Sequence, residues 1–272
     1  MAGSEPQGAL EGMPQRLFRV TPARTDTWLT CPRKYRFRYV DRPAPPPGPA
    51  WAHQSVGAAV HNALLRFYEQ EPSERDPDNV ARLVGSSWLD AGFRDERQSQ
   101  EYRDRASGWV REYVAGQPAD LRPLALERGV ACRDDRAAYS GRVDRIDVRD
   151  GELVVVDYKT GRNPPTEAEA RSSPALALYL VAARQTLRLP GARVELHHLP
   201  TNTVAAAEHS PESLSRHRDR LVDLAAEAEA ATGESFPANP GPICGWCDYY
   251  AHCPEGRRAA PDRPVAWAGL PD

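Results

Sequence analysis

The dipeptide Asp150-Gly151, set between two stretches that alternate apolar and polar residues, constrains this chain more than any other feature. In that setting Asp-Gly is a two-residue hairpin turn, because both residues tolerate the left-handed backbone the turn needs. It predicts strands over residues 139–149 and 152–159, with a third over residues 124–132. The turn also fixes register: Arg149 faces Glu152, Val148 faces Leu153, Ile146 faces Val155 and Asp144 faces Asp157. Side chains alternate across a strand, so the last three pairs share one face and Lys159 joins it. Opposed Cβ atoms lie roughly 4.5–5.5 Å apart, where two carboxylates repel. A divalent cation would offset that repulsion, and hard oxygen ligands suit Mg²⁺ or Mn²⁺. The alternative, for either aspartate alone, is a solvated strand face on which charges fall by chance.

Around these strands the period is helical. Residues 21–40 predict a short helix, capped by Thr25 or Asp26, and then a basic-aromatic stretch. Residues 42–49 are proline-rich and must be an irregular linker. Val56, Ala59, Val60, Ala63, Leu64 and Phe67 give residues 55–69 one apolar helical face. Residues 78–116 predict one or two helices interrupted at Gly92. Further on come a helix over 173–187, strands over 193–199 and 203–208, and a helix over 211–231. Residues 1–15 read as a loose leader and 258–272 as a flexible tail. Helices, sheet, helix, sheet and helix in that order predict an α/β domain with a mixed sheet.

Charge excludes two classes of function. With 35 basic and 38 acidic residues the net charge is −3, which rules out a uniformly basic nucleic-acid coat. Only Lys34 and Lys159 are lysines, and neither follows a glycine, so no phosphate-binding P-loop exists. Locally the balance differs. Arg33, Lys34, Arg36 and Arg38 belong to a basic run in which Tyr35, Phe37 and Tyr39 alternate with the arginines. Such a run takes phosphates and stacks on unpaired bases, or else is a solvated arginine face over buried aromatics. Residues 1–12 lack an apolar signal-peptide core, and the apolar run over 175–183 is too short to span a bilayer. The expected location is the cytoplasm. In that reducing compartment cysteines read as metal ligands or buried apolar residues rather than disulfides. Cys244, Cys247 and Cys253 form a compact C-x2-C-x5-C set lacking a fourth local ligand; Cys31 lies far upstream, and Cys132 reads as a small buried apolar residue on a strand.

Gly141-Arg-Val-Asp-Arg-Ile-Asp147 followed by Val154-Val-Val-Asp-Tyr-Lys-Thr-Gly161 resembles the core of the PD-(D/E)XK nuclease superfamily. The match is closest to its RecB-like exonuclease branch, which includes CRISPR-associated RecB-like nucleases. The resemblance implies a restriction-endonuclease-like core, a mixed sheet flanked by helices, in a single nuclease domain over residues 16–257. It implies that Asp144 and Asp157 bind the metal and that Lys159 orients or activates the attacking water. A lysine suits that place better than an arginine, its ammonium being compact and its pKa more easily lowered. Ser55-Val-Gly-Ala-Ala-Val-His61 is similar to the family's G-x-x-x-H helix, which makes His61 a third ligand. Alone, a histidine beside an apolar stripe reads as structural; His197 and His198 have no such context and are left out.

Glu127 resembles an acidic residue of relatives on the preceding strand, but reads equally as an exposed strand residue. The family's glutamine four residues before the helix tyrosine is Ala175 here, leaving Tyr179 to contact the substrate backbone. In the branch, an early cysteine in a C-P-[RK]-x-[FY] context and three late ones hold a 4Fe–4S cluster. By resemblance Cys31, Cys244, Cys247 and Cys253 would do so, stapling a helical region of residues 16–54 to residues 236–257. Four thiolates also suit a tetrahedral zinc. The implied activity is metal-dependent hydrolysis of single-stranded or end-bearing DNA in repair or recombination. The alternatives are the nuclease subunit of a CRISPR-adaptation or recombination complex with a separate helicase or motor partner, and a non-catalytic DNA-binding module.

Overall fold

The computed structural model describes residues 17–271, so the expected leader over 1–15 lies outside the described residues. Its framework is one mixed six-stranded sheet. The strands are β1 (Phe18–Val20), β2 (Ala125–Arg133), β3 (Ala137–Arg149), β4 (Glu152–Lys159), β5 (Arg193–His198) and β6 (Thr203–Glu208). β1 pairs parallel with β3 and β4 parallel with β5; the other pairs are antiparallel. The hairpin forms as the turn demands, with φ of +53° at Asp150 and +81° at Gly151. Its ladder runs from Arg149↔Glu152 to Arg145↔Val156 in the predicted register.

That ladder ends one pair short of Asp144 and Asp157, and the reason positions everything that follows. β3 has β2 along one edge. On its other edge it meets β1 at residues 137–139 and β4 at residues 145–149, leaving residues 140–144 without a strand partner on that side. β3 also changes face there: Val143 and Ile146, three positions apart, pack in the same cluster, while Arg145 and Asp147 are buried on the opposite side. The carboxyl ends of β1 and β4 therefore face each other across a gap in the sheet.

Helices cover both faces. On one side α3 (Ala52–Tyr68), α4 (Val80–Gly85) and α5 (Glu96–Ala115) pack on Val154, Val156 and Tyr158. On the other, α7 (Pro174–Leu187) and α8 (Pro211–Ala230) pack on Val155, Val194 and Tyr139. The mixed sheet flanked by helices is the architecture anticipated from the sequence. α7 and α8 start at Ser173 and Ser210, whose side chains accept the Leu176 and Ser213 N–H groups ahead of Pro174 and Pro211. α1 (Pro22–Thr30) is capped by Thr21, not by Thr25 or Asp26: Pro22 occupies the first helical position and Thr25 turns its hydroxyl back to the Thr21 and Pro22 carbonyls. α2 (Pro32–Tyr35) and a π-helical turn (Arg36–Val40) complete the amino-terminal region. As expected, Gly92 (φ +88°) separates α4 from α5.

Three strands or α-helices were not anticipated. β1 has only three residues, too few to display a period. α6 (Glu167–Ser172) was signalled by its capping box, in which Thr166 and Glu169 satisfy each other's backbone N–H groups. The expected flexible tail over 258–272 is also corrected. α9 (Pro254–Ala259) reaches into it, Leu270 is buried against α3 and α5, and Tyr102 donates to the Pro271 carbonyl at 2.9 Å. Among the described residues no helix is long and apolar enough to cross a membrane.

Candidate active site

Four elements converge on the gap in the sheet. Along α3, Gly57 faces the end of β4 so closely that a Cβ there would lie 3.2 Å from Thr160 Oγ1. That approach brings His61, one turn further on, over the strand end. Its ring packs edge-on to Tyr158 at 5.7 Å, and its Nδ1 lies 3.4 Å from Asp144 Oδ2 and 3.9 Å from Glu127 Oε1. Where the ladder stops, the Asp144 carboxylate substitutes for the missing strand partner: Oδ2 accepts the Tyr158 N–H at 2.8 Å. Glu127 reaches the site because its own backbone turns left-handed (φ +42°), and Arg142 holds its other oxygen at 2.6 Å. His61, Glu127 and Asp144 each offer a ligand atom within 4.8 Å of the others'. Glu127, ranked below the other acids on sequence alone, is thus part of the cluster; the twist that carries it in has no signal in an Ala-Leu-Glu-Arg strand.

Asp157 and Lys159 stand beside this group as an ion pair of 2.6 Å. Burial pushes the Asp157 carboxyl above its ordinary range, Lys159 opposes that, and Asp144 adds to it. Lys159 is itself held above its usual value: burial acts against its charge, but Asp157 and Asp144 outweigh burial. A lowered lysine pKa, attractive from sequence, is not what this environment produces; the ammonium keeps its proton. His61 behaves alike. Burial disfavours its charge, yet Asp144 and Glu127 raise its pKa to about 10; a cation bound here would displace that proton, since only the neutral imidazole ligates. Asp26 on α1 is an unforeseen neighbour, with its carboxyl pushed up by burial and drawn down by Lys159. Tyr179 lies against Gly141, where a Cβ would meet its ring at less than van der Waals distance, and burial and the nearby carboxylates push its hydroxyl up.

Hard carboxylate oxygens that repel one another, brought within a few ångströms of one imidazole, are a donor set that fits Mg²⁺ or Mn²⁺. The basic run is a different matter. Arg33 donates to the Phe236 carbonyl and pairs with Glu255 at 3.9 Å, Lys34 pairs with Asp248 at 3.5 Å, and Arg36 pairs with Asp41 at 2.9 Å. Tyr35 is buried against Trp28 and Tyr39. Arg38 is exposed and lies over Tyr39. Arg33 and Lys34 thus join this region to the carboxyl-terminal one, while Arg36 pairs locally with Asp41.

Cys31, Cys244, Cys247 and Cys253 line a single cavity of about 260 Å³, walled by Phe37, Trp246, Tyr249 and Tyr250. Backbone N–H groups are directed at three of the sulfurs: Asn239 to Cys31 at 3.5 Å, Gly241 to Cys244 at 3.4 Å and Gly256 to Cys253 at 3.3 Å. Burial raises the Cys247 and Cys253 thiols. Cys132 is apart from them, half-buried beside α7 and α8, with burial pushing its thiol up to about 11. His197 belongs to a buried network away from the site, between Glu195 at 2.8 Å and Tyr113 at 2.7 Å. His198 pins the loop after Lys159 through the Gly161 carbonyl at 2.7 Å.

A sequence-family model for the PD-(D/E)XK nuclease superfamily matches residues 19–254. No curated protein matches the chain. Among solved structures, it is similar to a candidate exonuclease from Eubacterium rectale, with 11% identity over 91% of this chain and 94% of that one and a TM-score of 0.43. It is also similar to SSO0001, with 15% identity over 73% and 84% of the two chains and a TM-score of 0.34. The family assignment rests on the family-model match alone.

Proposed function

Because this chain belongs to the PD-(D/E)XK nuclease superfamily, we propose that it is a metal-dependent deoxyribonuclease of the RecB-like exonuclease kind, acting on single-stranded or end-bearing DNA in repair or recombination. The observation that carries this reading is the convergence of His61, Glu127 and Asp144 beside the Asp157–Lys159 pair. Mg²⁺ or Mn²⁺ would be held by His61, Asp144 and Asp157, joined by Glu127. When bound, such an ion supplies Lewis acidity toward a phosphodiester oxygen and acidifies water.

The protein's own groups do the rest. Asp144 is fixed by the Tyr158 N–H and cannot swing away from His61. Lys159, paired with Asp157, donates hydrogen bonds to the attacking water or to the charge that grows on the phosphate. Tyr179 offers its hydroxyl to the substrate backbone. Asp26 lies close enough to Lys159 to share in holding the ammonium's charge.

The four cysteines are proposed to hold a 4Fe–4S cluster. Support comes from their shared cavity, which is roomy for a single tetrahedral ion, and from the N–H groups aimed at their sulfurs, of the kind that tune iron–sulfur centres. The cluster would tie residues around Cys31 to the carboxyl-terminal region, where Arg33 N–H already bonds the Pro237 carbonyl.

The test is degradation of end-labelled single-stranded DNA by anaerobically purified protein. Activity with Mn²⁺ that disappears in EDTA and in Asp157→Ala supports the reading; full activity in Asp157→Ala overturns the site.

A further inference from the structure

The helices on the α3 side cover β4, β5 and the second half of β3, but not the first half of β3. There the sheet face opposite α7 and α8 is bare. Across it, Arg19 on β1, Ala138 on β3 and Arg133 on β2 stand side by side in register, followed on β3 and β2 by Ser140 beside Ala131 and by Arg142 beside Gly129. The floor is thus made of small residues, and arginines flank it. Ala131, Arg133, Ser140, Arg142 and Gly129 are all exposed. A cavity of about 680 Å³ opens over these strands, lined by Arg19, Arg24 and Arg133, with Gln185 of α7 also in its wall, and by no carboxylate. Among the described residues neither Arg19 nor Arg133 has an acidic partner. This is unlike Arg33, Lys34 and Arg36, whose charges are met by acids within the chain.

The direction of the trough matters as much as its charge. Following β3 along it, Ala138, Ser140 and Arg142 lead to Asp144, and Arg142 already pairs with Glu127. The six residue steps from Ala138 to Asp144 span about 20 Å. Between Arg19 and Arg133 there are two interstrand spacings, about 10 Å. That width suits one extended phosphodiester strand lying between the two arginines. Unmet arginines beside a floor without bulky side chains suit phosphates passing close to the backbone.

We propose that the Arg19–Arg133–Arg142 trough is the track along which a single strand of nucleic acid is led to the His61, Glu127 and Asp144 cluster. This rests on the nuclease reading and adds to it the path of the substrate on this chain.

Binding measured without turnover tests it. Fluorescence anisotropy of a labelled oligothymidylate is followed in EDTA across a salt series, with the full chain. Arg19→Glu/Arg133→Glu is compared with Arg97→Glu/Arg111→Glu, a double reversal of equal charge on exposed positions of α5. The trough double should lose about tenfold in affinity or more at low salt. Its salt slope should fall by about 1.4, since each phosphate contact on a single strand contributes about 0.7. Arg19→Gln/Arg133→Gln should show the same slope change with a smaller loss of affinity, which separates lost contacts from misfolding. Equal behaviour of the two reversal doubles overturns the trough and leaves the nuclease reading standing. Tighter binding of a blunt duplex than of the single strand also overturns it. No binding of either by the unaltered protein overturns both the trough and the reading beneath it.

Discussion

Replacing Arg145 by methionine should cost this protein a large part of its stability. The arginine lies beneath the sheet with no exposed surface. Its NH1 donates to the Tyr113 hydroxyl at 3.0 Å and the Tyr158 hydroxyl at 3.4 Å, NH2 pairs with Asp147 at 3.1 Å, and the guanidinium lies 5.3 Å from the Tyr68 ring centre. Burial works against its charge, but Tyr158, Tyr113 and Asp147 more than reverse that and hold it protonated. Methionine fills most of the space but strands a buried carboxylate, left with Arg149 as its ion-pair partner at 3.0 Å. Breaking one side of a buried pair costs about 3–5 kcal/mol. In a domain of this size each kcal/mol is worth about 2–4 °C, so the melting midpoint should fall by about 10 °C in a thermal scan followed by circular dichroism. Arg145→Met/Asp147→Asn should recover part of the loss, because the buried charge that Arg149 alone is left to balance is gone. A single variant that melts within about 2 °C of the parent would refute the reasoning.

Acid should destabilise the protein through Glu195. Burial raises its carboxyl, but His197, Arg149 and Arg193 overcome this and hold it far below the usual range. Its stabilisation is complete above the unfolded value near 4.3 and is lost as pH falls below it. Melting scans should show Glu195→Gln already weakened at neutral pH and flatter in acid; identical profiles would exclude the mechanism. Gly141→Ala drives a methyl into the Tyr179 ring and should cost about 1–3 kcal/mol by overpacking, read as a lower melting midpoint. Cys247→Ser should lose the visible absorbance and bound iron of anaerobically purified protein, whereas zinc and no iron in the parent would contradict the cluster.

The hairpin register was legible because a two-residue turn leaves no freedom, and Asp144, Asp157, Lys159 and His61 followed from it and from the helix motif. What lay beyond was decided by contacts distant in sequence. Asp144 leaves the ladder because β1 and β4 share one edge of β3, and β1 is too short to announce itself. The sequence leaves two readings of the basic run open because the partners of Lys34 and Arg33, Asp248 and Glu255, lie at the other end of the chain. Arg19 and Arg133 become neighbours only through pairing on the two edges of β3. Glu127 depends on one left-handed backbone angle, for which Glu has no propensity.

The central proposal is that one ion site is built from His61, Asp144, Asp157 and Glu127, with Lys159 beside it. Titration calorimetry of Mn²⁺ into metal-free protein tests it most directly. Asp144→Asn should weaken binding at least about tenfold, while Lys159→Ala, which removes a cation and no ligand, should bind as well as the parent or better. Unchanged Mn²⁺ affinity in Asp144→Asn would contradict the site.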